Sequence, residues 1–361
     1  MVHAAESCPQ CGTRLTGGSI KRRREVLEIP RVAVRVIEHV YLERRCPRCR
    51  ARVVPPPEMD GVVHGRQRLG IHVVSLIAAL REEARLPVAT IQWYLERVHR
   101  LALSGGGIIK ALDTVAGQGA AAVDQIRERI RVSPVVHADE TGWREAGRNG
   151  YVWTFSTPTA RYFVRGGRNT EVVDEVLGEQ FSGVLCSDFS AAYHHSEGRK
   201  QRCWGHLLRD MHDLKERHSG DASVQQWATR VHGISSRARR FTSSSPPERE
   251  QAQHAFEQEL LALCRPFLDQ EAAPQRTLCA RVERHLPELF VFVAQPEVPS
   301  DNNAAERSLR PLVTSRKISG GTRSPKGSRT KLALATLFGT WRTEGREPLL
   351  ACRRLLLSPQ L

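Results

Sequence analysis

Near Ser133 the hydrophobic period of the chain changes, and this change limits the fold more than any other feature. Upstream, apolar residues recur at helical spacing. Downstream, Val135-Val136-His137-Ala138 reads as a short buried strand that ends in Asp139-Glu140-Thr141-Gly142-Trp143. Further strands are expected over Tyr151 to Thr157 and Arg161 to Val164, with a Thr-Pro-Thr turn between them. Glu171 to Phe181 is helical in pattern, and Gly183 to Ser187 is a strand that again stops at an acid, Asp188. Taken singly, either aspartate is an ordinary strand-end turn residue.

Three strands, a helix and a fourth strand, with acids ending the first and fourth, is the order of a ribonuclease-H-like half. The expected fold class is therefore α/β, with a mixed sheet. Arg202-Cys203-Trp204-Gly205-His206 ends a further short strand, and residues 207–292 are mostly helical in pattern, forming an insertion. A third acid follows in Ser300-Asp301-Asn302-Asn303-Ala304-Ala305-Glu306-Arg307-Ser308-Leu309-Arg310-Pro311. Ser300 and Asp301 suit a helix start, and Pro311 is expected to close the helix. Asn302, Glu306 and Arg310 share a face at spacing four. Read alone, Glu306 fits a surface ion-pair ladder as well as it fits a ligand. Joined with Asp139 and Asp188 it completes three carboxylates around a cleft, the hard oxygen donors that two magnesium ions need for phosphoryl transfer.

Beyond Pro311 the chain is densely basic, with Arg316, Lys317, Arg323, Lys326, Arg329 and Lys331 before the next acid, Glu344. Ser319-Gly320-Gly321-Thr322 is expected to make the middle of this tail flexible. An apolar helix from Leu332 to Trp341 then returns to the core. Across all 361 residues the formal net charge is +15. That charge favours a polyanionic partner, and nucleic acid is the commonest.

At the other end, Cys8-Pro9-Gln10-Cys11 and Cys46-Pro47-Arg48-Cys49 form two C-x-x-C knuckles. Val26 to Ile29 and Val32 to Leu42 alternate between them and read as a hairpin broken at Pro30. Two thiolate pairs make the tetrahedral sulfur set that zinc prefers, and zinc would supply much of so small a module's folding energy. A redox role is the competing use of either pair. Arg14 and Lys21 to Arg24 line one end of this module. The nine cysteines are odd in number, which argues against a secreted disulfide framework and for a cytoplasmic setting. No signal peptide is read in the first thirty residues, and no apolar run reaches membrane-spanning length.

Pro55-Pro56-Pro57 is the clearest linker. Helices follow over Leu69 to Ala84, from Pro87 through Val98, and from about Ser104, giving a helix-turn-helix-like region for DNA binding or linkage. The third helix opens Gly105-Gly106-Gly107, which can approach a backbone but cannot read bases. The expected domains are a zinc ribbon (1–54), this helical region (55–131), the catalytic unit with its insertion (132–345) and a helical tail (346–361).

His137 to Trp143, Cys203-Trp204-Gly205-His206 and Asp301 to Pro311 together resemble the insertion-sequence-66 family of DDE transposases. The paired knuckles resemble that family's amino-terminal zinc module. The resemblance implies a triad of Asp139, Asp188 and Glu306 holding two Mg²⁺ or Mn²⁺ ions, with His206 beside them. It also implies cleavage at transposon ends and strand transfer into target DNA, and the partners would be DNA, further copies of the chain on paired ends and helper proteins of the same element. Arg307, Arg310, Arg316, Lys317, Arg323 and Lys326 would meet phosphates, and Cys8, Cys11, Cys46 and Cys49 would hold zinc. The glycines at 105–107 depart from the family's more polar third helix. A transposase-derived protein that binds DNA without cutting is the alternative. A two-carboxylate sugar hydrolase is disfavoured by the basic surroundings of Glu306.

Overall fold

The computed structural model describes residues 2–29, 32–56, 62–63, 67–194 and 198–357. Pro30, Pro57 and residues 358–361 of the expected tail lie outside them.

Both knuckles are built alike. Cys8 donates its amide to Thr13 O (2.9 Å) and accepts from Gly12 N (2.9 Å). Cys46 repeats this with Ala51 O (2.8 Å) and Arg50 N (2.9 Å). Gly12 and Arg50 take positive φ (74° and 60°), the left-handed step that turns the chain back beside each thiol pair. β1 (Arg44–Arg45) and β2 (Arg52–Val53) flank the second knuckle as an antiparallel pair. The hairpin expected over Val26 to Leu42 is not formed. Among the described residues, 15–43 carry no strand, and Val26, Leu27, Val36 and Val40 are exposed. Alternation supplies the apolar side chains, but no second layer covers them, and a lone two-stranded ribbon is marginal in water.

The helical region comprises α1 (Ile71–Glu82), α2 (Val88–His99), α3 (Gly105–Gln118) and α4 (Ala120–Arg131). Ser104 caps α3 by accepting the Gly107 N–H at 3.1 Å. The sheet contains β3 (Val135–Glu145), β4 (Arg148–Ser156), β5 (Arg161–Gly166), β6 (Val184–Ser187) and β7 (Arg199–Arg202), with α5 (Glu171–Leu177) between β5 and β6. Its five strands run in the order β5-β4-β3-β6-β7. β3, β4 and β5 are antiparallel neighbours, while β6 is parallel to β3 and β7 to β6.

β3 does not stop at Asp139. It continues to Glu145 because β4 pairs with it throughout, setting Asp139 opposite Thr154. Only the pairing with β6 ends before Asp139, at His137 opposite Cys186. Asp139 therefore lies in mid-strand, yet at the point where one neighbour falls away and the sheet opens.

After β7 come α6 (Trp204–Arg217), α7 (Ala222–Arg240), α8 (Pro246–Leu268), α9 (Arg276–Arg284) and the short α10 (Val291–Ala294). They enclose a core of their own around Trp204, Leu207, Trp227, Leu260 and Phe290. The chain then returns through α11 (Asn303–Ser319), α12 (Pro325–Thr343) and α13 (Pro348–Leu357).

Pro311 does not close its helix. Proline at 311 lacks the N–H that one intrahelical bond needs. Leu309 and Leu312 on either side are nonetheless buried against Trp143, Val152 and Phe163. Burying two leucines is worth about 3–6 kcal/mol, enough to carry the helix across the missing bond. The glycine turn after α11 is likewise docked rather than loose. Gly321 has φ 101°, and a Cβ there would strike the Arg144 carbonyl. Thr322 donates its amide to Arg144 O (2.9 Å) and accepts from Ala146 N (2.9 Å). Glycine is required here by close approach to β3.

Side-chain alternation divides the central strands between two layers. Val136 and Ala138 share a core with Ile77, Ile108, Leu337 and Cys352, so α1, α3, α12 and α13 lie over that side. His137, Asp139, Thr141 and Trp143 point the other way, toward α11.

Candidate active site

Asn302 fixes α11 to the sheet. It is fully buried, its Nδ2 donates to Ala138 O at 2.7 Å, and its Oδ1 lies 3.0 Å from His137 Nδ1. Burial holds the His137 ring below its usual pKa, so the neutral ring is favoured and its Nδ1–H serves as the donor. The Asn302 amide N–H donates to Cys203 Sγ at 3.1 Å, and Trp204 N–H donates to Ser300 O at 3.0 Å. Cys203 in turn donates its amide to Ser187 O at 2.9 Å. Residues of β3, β6, the start of α6 and the approach to α11 are thus tied at a single knot. Asp139, Asp188, His206 and Glu306 each stand within four residues of it.

Asp139 is the electrostatic centre. Its carboxyl is pushed up to about 7, by burial first, then by Glu140, and further by Asp188 and Glu306. The Glu140 amide partly offsets this by donating to Asp139 Oδ1 at 2.9 Å. The Glu140 side chain faces away from α11, where it accepts from Tyr193 Oη (2.6 Å) and pairs with Arg168 (2.8 Å).

Asp188 sits one residue past β6, and its Oδ1 accepts from Ser190 N at 2.8 Å. Its peptide is clamped from below by Arg202, a fully buried guanidinium. Arg202 Nη1 donates to Asp188 O (2.8 Å) and Ser187 Oγ (3.2 Å), and its Nε donates to Glu288 Oε2. Burial alone would raise the Glu288 carboxyl, but the bond from His285 and the charge of Arg202 outweigh it and bring it to about 2.

Glu306 lies in the first turn of α11, with its Oε1 3.8 Å from His206 Nε2. Cys203, His206 and Glu306 place their ligand atoms within 4.8 Å of one another, the one such trio among the described residues. His206 Nδ1 is buried without a hydrogen-bond partner. Asp188 and Glu306 both act on Asp139 through their charge, but the three carboxylates are not gathered as closely as that trio. The two thiol pairs of the knuckles are also not gathered into one group.

Residues 66–330 match a family model described as transposase IS66 family. The chain belongs to that family. Residues 5–50, which include all four knuckle cysteines, match the zinc-finger binding domain of transposase IS66. Uncharacterized protein y4qI of Sinorhizobium fredii is 26% identical over 260 residues, covering 63% of this chain and 48% of that protein. Uncharacterized protein y4jO of the same organism is 40% identical over 81 residues, 22% of each chain. The chain thus spans about half the length of the first relative and less of the second.

In this IS66 family member the basic residues divide into two groups. Arg307, Arg310, Lys317 and Arg323 are exposed. Arg316 instead braces the sheet, donating to Thr141 Oγ1 (3.1 Å) and to Gly142 O. Lys326 pairs with Asp113 at 2.6 Å while remaining largely exposed. Among the described residues no helix is long and apolar enough to cross a membrane. Sequence reasoning missed Arg202 as a functional support. The available signal was a charged side chain directly before Cys203-Trp204, where a strand runs into a buried helix start.

Proposed function

We propose that this chain is a DDE-type DNA transposase that cuts DNA at transposon ends and joins the freed strand to target DNA. The observation that carries this reading is Asp139. A half-buried carboxyl on β3 pushed up to about 7 beside Asp188 and Glu306 is a site that a cation would relieve. The strand order, three antiparallel strands followed by two parallel ones, supports the ribonuclease-H-like assignment.

The donor set fits two Mg²⁺ or Mn²⁺ ions, held by Asp139, Asp188 and Glu306, which would supply Lewis acidity to the attacking and leaving oxygens. The chain's own residues do the rest. Asn302 and Arg316 hold α11 against β3, so that Glu306 faces Asp139. Arg202 holds the Asp188 peptide at the end of β6. His206 stands beside Glu306, where it can orient that carboxylate or accept a proton. The exposed Arg307, Arg310, Lys317 and Arg323 are the phosphate contacts.

In this reading residues 1–54 bind zinc through Cys8, Cys11, Cys46 and Cys49. Residues 55–131 contact DNA or link the units, 132–345 carry the catalysis, and α13 belongs to the helical tail. Copies of the chain would act together on paired ends, with helper proteins of the same element. The deciding assay supplies the zinc-loaded protein with DNA carrying the element's ends and either Mg²⁺ or Mn²⁺. Nicking at the ends is expected, and it is lost in Asp139→Asn, Asp188→Asn and Glu306→Gln. Binding with no cutting under either metal would overturn the transposase reading in favour of DNA binding alone.

A further inference from the structure

A second cavity lies on the same layer as Asp139, on the far flank of α11. Its volume is about 240 Å³, and its lining includes Arg85, Arg161, Arg307, Lys331, Arg342 and Glu82. Five cations thus face one acid. That acid is already engaged, since both Glu82 oxygens lie 2.8 Å from Lys331 Nζ. Arg342 pairs with Glu83 at 3.3 Å. Arg85, Arg161 and Arg307 form no ion pair among the described residues. Arg85 Nε is buried without a hydrogen-bond partner. Arg161 uses Nη1 on the carbonyls of Thr157 and Ala160, which are dipoles rather than counter-charges. Its proton affinity is lowered by burial and then by the nearby charges of Arg307 and Arg342.

Guanidinium groups do not shed their protons in proteins, so such crowding is relieved only by an anion. The strand register says where that anion would stand. His137 is opposite Ser156, and Ser156 is opposite Arg161, so these three form one row across the sheet. Asp139, Thr154 and Phe163 form the next row on the same side, and Phe163 also lines the cavity. Arg161 therefore lies two strands from the Asp139 strand, about 10 Å across the sheet. α11 runs between them, presenting Glu306 toward His206 on one flank and Arg307 to the cavity on the other. That separation is on the scale of neighbouring phosphates along one strand of DNA.

We propose that this cavity binds a single phosphodiester of the DNA strand held at the carboxylates, one or two nucleotides from the bond to be cut, through Arg85, Arg161 and Arg307. The inference rests on the transposase reading above. It assigns to the strand a second fixed point, so that the scissile phosphate is positioned by two anchors on opposite flanks of one helix. Guanidinium–phosphate pairs of this kind are bidentate and directional.

The test uses the full chain with zinc, a duplex carrying the element's end, and Ca²⁺ in place of Mg²⁺ to prevent cutting. Single phosphates near the cleavage point are replaced one at a time by neutral methylphosphonates. One position is expected to weaken binding of the unaltered protein about tenfold, and to have no further effect in Arg85→Gln or Arg307→Gln. Arg307 is exposed and Arg85 is only partly buried, so these variants avoid the folding risk of Arg161→Gln. If every methylphosphonate loss simply adds to the loss from the variants, the proposal is wrong. It is equally wrong if inorganic phosphate raises the melting temperature of the unaltered protein while both variants bind DNA as it does, since the cavity then serves a free anion. Failure of the unaltered protein to bind the duplex at all would instead overturn the transposase reading.

Discussion

Asn302 and His137 meet at 3.0 Å in the interior, joining the first turn of a late helix to the central strand of the sheet. The same side chain also takes the Ala138 carbonyl, one residue before Asp139. Asn302→Ala removes both partners and leaves a buried carbonyl and a buried imidazole unpaired. A loss of about 3 kcal/mol in unfolding free energy is expected, read by urea denaturation. Activity should fall further than the folded fraction does, because Glu306 loses its tether. Equal losses of both would make Asn302 a purely structural residue.

The triad substitutions separate chemistry from binding. Asp139→Asn, Asp188→Asn and Glu306→Gln should each reduce strand nicking about a thousandfold or more, some 4 kcal/mol in the barrier. Affinity for end DNA, measured by fluorescence anisotropy in Ca²⁺, should change by less than about threefold. Substitution at Asp139 also removes an unfavourable half-buried charge, so Asp139→Asn should melt higher than the unaltered chain in chelator at pH 8.

Glu288 supplies a pH-dependent stability that the sign of its shift fixes. Its folded value of about 2 lies below the ordinary 4.5. A carboxylate depressed in this way stabilises the fold above about pH 4.5, and the contribution is lost as pH falls toward 2. Glu288→Gln should therefore destabilise the protein by roughly 2–3 kcal/mol at pH 7, discounted for partial exposure. The gap between the two proteins should narrow steadily between pH 4.5 and pH 2 in denaturant titrations. A pH-independent gap would show that the loss comes from packing beside Arg202.

Zinc should be measurable on its own. The unaltered chain is expected to carry about one zinc bound by four thiolates, lost in Cys46→Ser and on treatment with a strong chelator. Metal analysis of the purified protein checks this. Retention of zinc in Cys46→Ser would shift attention to the trio of Cys203, His206 and Glu306.

The positions of the three acids could be read from the chain's pattern: Asp139 after an apolar run, Asp188 after another, and Glu306 in the first turn of a helix. The helices of 71–131 and of the insertion were legible from apolar spacing. What was hidden depends on the third dimension. Alternation between the knuckles suggested a hairpin, but strands need a covering layer, and Val26 to Leu42 has none. Pro311 suggested a stop, but Leu309 and Leu312 bury too much surface for the helix to end there. Gly320-Gly321 suggested a flexible stretch, and Gly321 proved to be the close approach of two backbones. Among the cations expected to meet phosphates, Arg316 is bonded to β3, and Lys326 pairs with Asp113 while staying largely exposed. Composition reports charge and never says which charges the protein has already matched.

The knot at Cys203, Trp204, Ser300 and Asn302 has a topological consequence. Residue 204 leaves the sheet within hydrogen-bond reach of the place where residue 300 returns, so the helical block between them hangs from a closed neck. With its own core, the block itself bears the entropy of closing that long loop, and the carboxylate beyond it does not feel the loop's length. The outer part of the block is therefore free to lengthen or shrink while the third acid stays in register with the first two. Its end stays docked on the sheet through Glu288 on Arg202 and Val291 beside Val135 and Val184. Grafting a foreign domain onto that neck would be the gentlest way to give this chain a new appendage.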